Sequence, residues 1–265
     1  MRSAVVLLLL SCCLFIASCG SDTATNTAVN SQPAAKKAPG GREPVLVELF
    51  TSEGCGNCPP ADRHLVLLET QQPVAGADVI TLGYHVDYFN DRGWQDVYSA
   101  PEYTRRQNLY SMRMNLESMY TPQMIVDGKS EFNGSDPQKA GAAISKAADA
   151  PKAEVRVAVN GRTAEVTISG FGQHLVATAV LATAEDGLTS NPNAGNNKGR
   201  TLQHNSVVRK LQGFGKVPER ATEFKGTVEL PLEHGWKAEN VRHVVYVQED
   251  QSGRIIAVGR VPAGE

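Results

Sequence analysis

The chain has 265 residues, of which 41% are hydrophobic and 20% charged, and its formal net charge is −2. This composition is typical of a soluble globular protein with a buried core, in one large or two ordinary domains. The near-neutral charge argues against a nucleic-acid-binding surface and against electrostatic attraction to an anionic membrane.

The N-terminus has the pattern of an export signal. Arg2 precedes an apolar run at residues 4–17, which is too short to span a membrane as a helix. The next stretch, IASC at residues 16–19, resembles the cleavage box of bacterial lipoproteins, in which the cysteine is lipidated. We therefore expect a lipoprotein-type signal peptide at residues 1–19. Cys19 would anchor the protein in the bacterial cell envelope, facing the periplasm or the cell exterior. The alternative is an ordinary cleaved signal that ends near a cysteine.

Residues 20–43 are rich in Ala, Thr, Asn, Ser and Pro and have no apolar periodicity. Such a segment is expected to be a disordered tether. Of the five cysteines, two lie within the signal and Cys19 is expected to be acylated. Only Cys55 and Cys58 therefore remain in the folded part.

Residues 44–150 are predicted to form an α/β domain, a central mixed sheet flanked by helices. Apolar β-branched runs predict buried strands, Pro59 and Asp136 mark helix starts, and Asp127-Gly128 is a strong hairpin signal. The predicted elements are a strand at 44–50, a helix at 59–72, a strand at 77–86, a helix at 100–114, a hairpin at 123–134 and a helix at 136–150.

This β-α-β-α-β-β-α order resembles the thioredoxin fold. Cys55 and Cys58 lie at the first strand-to-helix turn, and Thr121-Pro122 stands directly before the hairpin, where thioredoxin-like proteins carry a cis-proline. The stretches VELFTSEGCGNCPPAD, YHVDYFNDRGWQD, SAPEYTRRQ, YTPQMIVDG and GRTLQHNSVVRKL resemble a secreted thioredoxin-like family catalogued as domain of unknown function 1223. That resemblance covers most of residues 44–262. It implies the fold and a two-part layout but no established substrate.

The cysteine pair is predicted to exchange thiols and disulfides. Cys55, just before the helix, is the expected attacking thiol, because a helix N-terminus stabilises a thiolate, and Cys58 is the expected resolving thiol. Pro122 would leave a backbone edge free to pair with an extended substrate. This chemistry needs no cofactor. The expected partners are protein thiols or disulfides, or a redox partner protein.

The sequence allows two interpretations of Glu48, one of them as a proton acceptor. Thioredoxin has a buried acid six residues before its first cysteine, but here that position is Leu49, and Glu48 is seven before. Glu48 is the candidate acceptor if the turn holds one extra residue. The alternative is that Glu48 pairs with a Lys or Arg at the end of the sheet.

Aromatic and polar residues around the second strand are candidates for a groove beside Cys55 that recognises a substrate. The alternative for each is a role in the core or in stabilising a loop. The candidates are Tyr84, His85, Asp87 and Trp94, together with Thr121.

Other functions for the cysteines remain open. A staple is a weak alternative, because a bridge between residues three apart closes a very small loop. Zinc bound by the cysteines with His64 or His85 lacks a fourth ligand. A Cu(I)-handling protein is a second alternative, because soft sulfur ligands suit Cu(I), and a non-catalytic binding protein on a thioredoxin scaffold is a third. The copper ligands would be Cys55, Cys58, Met112, Met114 and Met119, with Met124 close by in the sequence.

Residues 151–265 are predicted to form an all-β, sandwich-like domain, because about seven short strands alternate with period two. A loop at residues 185–200 has no periodicity, and loops of this length are usually functional or disordered. The histidines of this half are expected to be surface or hydrogen-bonded groups rather than ligands. They are His174, His204, His234 and His243.

Overall fold

The structure, a computed structural model, describes residues 41–263. It is a mixed α/β fold with a large mixed sheet. The elements are β1 (Glu43–Thr51), α1 (Pro59–Gln71), β2 (Ala77–His85), α2 (Pro101–Arg113), β3 (Gln123–Val126), β4 (Ser130–Asn133), α3 (Pro137–Ala148), β5 (Glu154–Asn160), β6 (Thr163–Ser169), β7 (Ala177–Glu185), β8 (Leu188–Ser190), β9 (Leu202–His204), β10 (Val207–Val217), β11 (Glu223–Glu229), β12 (Val241–Glu249) and β13 (Ile255–Arg260).

Strand β1 is the centre of the first half of the sheet. It pairs in parallel with β2 and antiparallel with β3, which pairs with β4, so the local order is β2-β1-β3-β4. Its apolar run is buried on both faces, as expected of a strand covered by helices. Val47 and Leu49 pack with α1 and α3, whereas Leu46 and Phe50 pack with α2. The β1–α1 turn lies at the carboxyl end of the two parallel strands.

The same sheet continues into the second half of the chain. Its full order is β13-β12-β7-β10-β2-β1-β3-β4. Strand β10 meets β2 in parallel at Val207 and Gly83, and the Gly83 N–H donates to the Ser206 carbonyl oxygen over 2.7 Å. The core around α2 takes side chains from both halves. The boundary expected near residue 150 therefore divides neither this sheet nor this core.

A three-stranded sheet of order β11-β6-β5 packs against the outer part of the large sheet. Val166 and Ile168 of β6 share a core cluster with Leu181 of β7 and Val245 of β12. Two sheets packed face to face agree with the period-two pattern of this half. The arrangement differs from a separate sandwich because one of its two sheets is also the sheet of the first half.

Arginine side chains cover part of the outer edge of β2. Arg260 Nη2 donates to the Val79 carbonyl oxygen and Arg242 Nη2 to the Thr81 carbonyl oxygen, both over 2.7 Å. Arg260 also pairs with Asp78 over 2.8 Å. Carbonyl groups on an open strand edge invite pairing with another chain. Here guanidinium groups from β12 and β13 occupy those acceptors.

The elements predicted in the first half are present, each within two residues of its expected ends. Asp136 caps α3, and its carboxylate accepts from the N–H groups of Gln138 and Lys139 at 3.1 and 3.0 Å. The sequence did not predict β8 and β9, because three-residue strands carry too little periodicity. No helix within the described residues is long and apolar enough to cross a membrane.

Candidate functional site

The two cysteines lie in the β1–α1 turn. Cys58 is the N-cap of α1, Pro59 follows as its first residue, and the two cysteines form a disulfide with their Cα atoms 5.4 Å apart. The Cys58 N–H donates to the Cys55 carbonyl oxygen over 3.2 Å. Cys55 is 3% exposed and Cys58 is fully buried. The pair therefore lies at a helix N-terminus, but its sulfurs are shielded from solvent.

A loop from the second half of the chain shields Cys55. This cover loop, residues 191–201, is held at its two ends by the β8–β9 hairpin. The fully buried Asn197 donates through Nδ2 to the carbonyl oxygens of Glu53 and Cys55, at 2.8 and 3.0 Å. The Asn196 side chain lies 3.2 Å from the position that a Cβ on Gly56 would take. The loop whose role the sequence left open is thus packed against the cysteine turn.

A buried polar cluster continues from this turn. The Glu53 carboxylate accepts from Trp94 Nε1 at 2.7 Å and lies 3.0 Å from His204 Nε2. The Glu53 N–H donates to Asp96 Oδ2 over 2.9 Å, and the same oxygen is 2.7 Å from His85 Nδ1. Glu53, Asp96, His85 and His204 are all buried. This chain of contacts ties the cysteine turn to β2, to β9 and to the loop that follows β2.

The histidine and the acid at the base of the cluster stabilise each other's charge. Burial lowers the pKa of His85, but the Asp96 carboxylate outweighs burial and the pKa of His85 is raised. Burial raises the pKa of Asp96, but His85 and the hydrogen bonds to its carboxylate hold that pKa below its usual value. The pair therefore favours a protonated imidazole beside an ionised carboxylate.

Asp62 lies one helical turn after Cys58, on the side of α1 that faces the sheet. Its carboxylate accepts from Thr51 Oγ1 at 2.7 Å. Burial raises the pKa of Asp62, and the charges of His204 and His85 only partly oppose the increase. A carboxyl group with a raised pKa is suited to accept and release a proton. The one sequence feature that relates Asp62 to Cys58 is their spacing of four, because residues i and i+4 lie on the same face of a helix.

Glu48 lies on the opposite face of β1 from α1. It is fully buried against α2, where it accepts from Arg106 Nε at 2.7 Å and from the Tyr110 hydroxyl at 2.5 Å. This is the alternative arrangement expected from the sequence, an ion pair with an arginine. The sheet separates Glu48 from the helix that carries Cys58.

The predicted groove residues have different surroundings. Trp94 belongs to the polar cluster, and His85 lies beneath it. Tyr84 is buried in the α2-side core, where its ring stacks on Phe50. The Asp87 carboxylate accepts from Thr104 Oγ1 at 2.5 Å. Only Trp94 and His85 of the expected set are thus connected to the cysteine turn through named contacts.

Pro122 lies near the start of α1. The Thr121–Pro122 bond is cis, as the sequence predicts. The Pro122 carbonyl oxygen accepts from the Gly134 N–H over 3.1 Å. A Cβ on Gly134 would come within 3.2 Å of the Ala61 Cβ in the first turn of α1. The end of the hairpin is therefore packed close to the helix that follows Cys58.

The methionines do not form one group. Met124 is buried on the α1 side of the sheet and Met114 packs on the α2 side, whereas Met112 and Met119 are 58% and 36% exposed. Residues 41–263 contain no group of three or more His, Cys, Asp or Glu residues placed to hold a metal ion.

Three site residues escaped the sequence analysis, namely Glu53, Asp62 and Asn197, and His204 was treated there as a surface or hydrogen-bonded histidine. Asn197 lies in a loop without periodicity, so no local pattern marks it. The loop that holds Asp96 was a candidate wall of the groove, but its contacts with Glu53 and His85 were not predicted. Their roles become visible only through contacts between distant parts of the chain.

Nine chains of solved structures match this fold. Protein AGR_C_4864 from Agrobacterium tumefaciens, known from an X-ray crystal structure, is 25% identical, with a TM-score of 0.67 over 83% of this chain and 95% of that chain. HBP35 of Porphyromonas gingivalis is 15% identical, with a TM-score of 0.58 over 85% of this chain and 76% of that chain, a likeness of fold alone. A comparison with curated proteins finds no match.

The family model described as "Protein of unknown function (DUF1223)" matches residues 46–248. The match includes both cysteines, the polar cluster and the cover loop, and it extends across the junction between β2 and β10. The chain therefore belongs to the DUF1223 family.

Proposed function

We propose that this protein is a thioredoxin-like thiol–disulfide oxidoreductase that works through Cys55 and Cys58. The observation that carries the proposal is the disulfide at the N-terminus of α1, directly after a buried parallel strand. The β-α-β-α-β-β-α order, the strand order β2-β1-β3-β4 and the position of Pro122 near α1 support a thioredoxin-like fold for this part.

The chemistry is a pair of sulfur displacements. In the reduced protein, the Cys55 thiolate attacks one sulfur of a substrate disulfide, and the other substrate sulfur leaves as a thiolate and takes a proton. The Cys58 thiolate then attacks the Cys55 sulfur in the mixed disulfide. The second substrate thiol leaves, the Cys55–Cys58 disulfide forms, and two electrons have passed to the substrate. The reverse sequence oxidises a substrate dithiol.

Asp62 supports this chemistry as the acceptor of the Cys58 proton. Cys58 must lose a proton before it attacks the mixed disulfide, and its site is closed to solvent. Asp62 shares a helix face with Cys58, and its pKa is raised by burial. Glu48 is less suited, because it lies beyond the sheet and already forms an ion pair with Arg106.

The cover loop restricts access to the pair. With 3% of Cys55 exposed, a substrate disulfide must displace the loop before it can reach the sulfur. Asn197 is the main polar connection to break, because its one side-chain amide binds both the Glu53 and the Cys55 carbonyl oxygens. We infer a reaction cycle in which the loop opens for the partner and closes over the finished disulfide.

The location of this activity is also a proposal. Cys19 and the expected signal peptide lie outside the described residues. The signal-like sequence supports export and lipid anchoring through Cys19, which would place the folded part on the periplasmic or exterior face of the envelope. Disulfides persist in such compartments. The substrates would be protein thiols or disulfides of the envelope, or a redox partner protein.

A redox titration of the full chain tests the proposal. The protein is equilibrated in glutathione buffers of increasing potential, free thiols are alkylated, and mass spectrometry reads the label on the peptide with Cys55 and Cys58. A reversible two-electron transition is expected, with a midpoint in the range of about −270 to −120 mV found for Cys-x-x-Cys proteins. Cys58→Ser should trap a mixed disulfide on Cys55. A pair that stays oxidised in every buffer would contradict the proposal and favour a binding role.

A further inference from the structure

A cavity lies apart from the cysteine turn. Its volume is about 450 Å³, and it is enclosed by the end of α3, the β3–β4 turn, the segment 171–174 and the start of β13. None of the residues that line it belongs to the cysteine turn, the polar cluster or the cover loop. Small-molecule sites typically have volumes of about 300–1,000 Å³. The cavity is thus large enough to enclose most of a small ligand.

Much of the cavity wall is apolar. Ala143 and Ala147 contribute one face of α3, and Phe171, Ile255 and Ile256 contribute the facing side. These three large residues are each less than 10% exposed, so the packing of the two halves of the chain fixes their positions. A ligand that fits this wall carries an apolar body.

The polar part of the wall is mainly cationic. The Lys152 side chain is 4% exposed, and its ammonium contacts Asp127 Oδ2 at 2.7 Å and the Ala147 carbonyl oxygen at 3.3 Å. Lys129 and Lys146 also line the cavity, and neither forms an ion pair with another described residue. An ammonium group has three donors. Lys152 therefore keeps one donor for a ligand, and two further cations stand at the rim.

The negative charge of the wall is small by comparison. Asp127 is the one acidic residue among those that line the cavity, against three lysines and Arg254. Arg254 is paired with Glu249 over 2.5 Å, so the excess of positive charge comes from the lysines. Burial raises the pKa of Asp127 to about 6, although Lys152 opposes the increase. Protonation of Asp127 near that pH would release Lys152 and increase the positive charge further.

We propose that this cavity binds a small organic anion, with its apolar body against Phe171 and α3 and its acidic group among Lys129, Lys146 and Lys152. The site is independent of the proposed disulfide chemistry, because it shares no residue with the cysteine turn. A neutral molecule of the same shape would leave Lys129 and Lys146 without an anionic partner and is expected to bind more weakly.

Two fluorescent probes test the proposal on the full chain. 8-Anilino-1-naphthalenesulfonate and N-phenyl-1-naphthylamine share the same aromatic body, but only the first is an anion. We expect the sulfonate to bind with one-to-one stoichiometry and at least tenfold more tightly than the amine. The double variant Lys129→Glu, Lys146→Glu should weaken sulfonate binding at least tenfold and leave amine binding within twofold. Both lysines are exposed, so the variant should fold normally.

A matched control separates this site from the overall charge. The variant Arg105→Glu, Lys237→Glu reverses two exposed cations that do not line the cavity. It should leave the dissociation constant of the sulfonate within twofold. Absence of stoichiometric binding, equal affinity for the two probes, or equal weakening by the control variant would each overturn the proposal.

Discussion

The Asn197 side-chain amide donates to the Cys55 carbonyl oxygen over 3.0 Å, although the two residues are 142 positions apart in the chain. The same amide holds the Glu53 carbonyl oxygen at 2.8 Å. One buried side chain from the second half of the protein thus fixes two consecutive bends of the cysteine turn. The contact joins the cover loop directly to the turn that carries the disulfide.

Replacement of Asn197 should make the disulfide more accessible. Asn197→Ala removes two buried hydrogen bonds, each worth about 1 kcal/mol, so the open form of the loop should become about thirtyfold more populated. We expect a similar increase in the rate at which a protein-sized dithiol reduces the Cys55–Cys58 bond, followed by stopped-flow thiol detection.

The control for this variant lies on the same loop. Thr201→Ala removes an exposed hydrogen bond to Asn191 that does not reach the cysteine turn. It should leave the reduction rate within twofold. Equal rates for Asn197→Ala and the unaltered protein would show that the loop does not limit access.

Asp62→Asn should slow the resolution of a mixed disulfide. The amide cannot accept the Cys58 proton, so the rate at pH 7 should fall by about tenfold or more. The deficit should shrink as the pH rises, because the Cys58 thiol then ionises without a base. Quenched-flow mass spectrometry of the mixed disulfide gives the rate. Glu69→Gln, another acid of α1, is the control, and an equal loss there would refute the role of Asp62.

The buried pair of Glu48 and Arg106 should behave as one unit in stability. Arg106→Met leaves the Glu48 carboxylate buried without its cation and should lower the free energy of unfolding by about 3–5 kcal/mol. Glu48→Gln should be similarly harmful because it leaves Arg106 unpaired. The double variant should lose less than the sum of the two, by at least about 1 kcal/mol. Urea denaturation measures all three, and additive losses would contradict the pairing.

His243 should make the protein sensitive to acid. Burial lowers the pKa of His243 from 6.5 to about 4. Between pH 6.5 and pH 4 the unfolded chain binds a proton at His243 that the folded protein does not. The contribution of this histidine to the free energy of unfolding is therefore complete above pH 6.5 and falls as the pH drops. His243→Gln should reduce the loss between pH 7 and pH 4 by about 1–2 kcal/mol, less than the full shift would give, because the ring is partly exposed to solvent. Urea denaturation at the two pH values tests this, and the exposed His234→Gln should change nothing.

Local patterns in the sequence predicted the first half of the fold well. The helix start after Cys58, the Asp136 cap and the Asp127-Gly128 hairpin each depend on neighbouring residues, and each is present. The alternation in SVVRKLQ predicts a strand at residues 206–212, but β10 continues five residues further, to Val217. Its register shifts near Gly213 and Gly215 interrupt the alternation on which the prediction depended.

Sequence patterns predicted only part of the candidate site. The positions of Cys55 and Cys58 follow from the sequence, but the cover over them does not, because Asn197 reaches the turn from a loop 142 residues after Cys55. Successive side chains of β1 point to opposite faces of the sheet, and Glu48 points to the face that α2 covers. The sequence did not show which helix covers which face. Met114 and Met124 are close in sequence, yet a helix end and a strand carry them to opposite sides of the sheet.

The arginines along β2 have a consequence for biosynthesis. Arg242 binds the Thr81 carbonyl oxygen from 161 residues further along the chain, and Arg260 binds that of Val79 from 181 residues further. At about 5–20 residues per second, translation takes roughly 8–30 s to make the first of these arginines after Thr81. Throughout that interval the nascent chain presents a strand edge that its own sequence cannot yet cover. A chain that ends before Arg242 would therefore leave these carbonyl groups open to pairing with another chain.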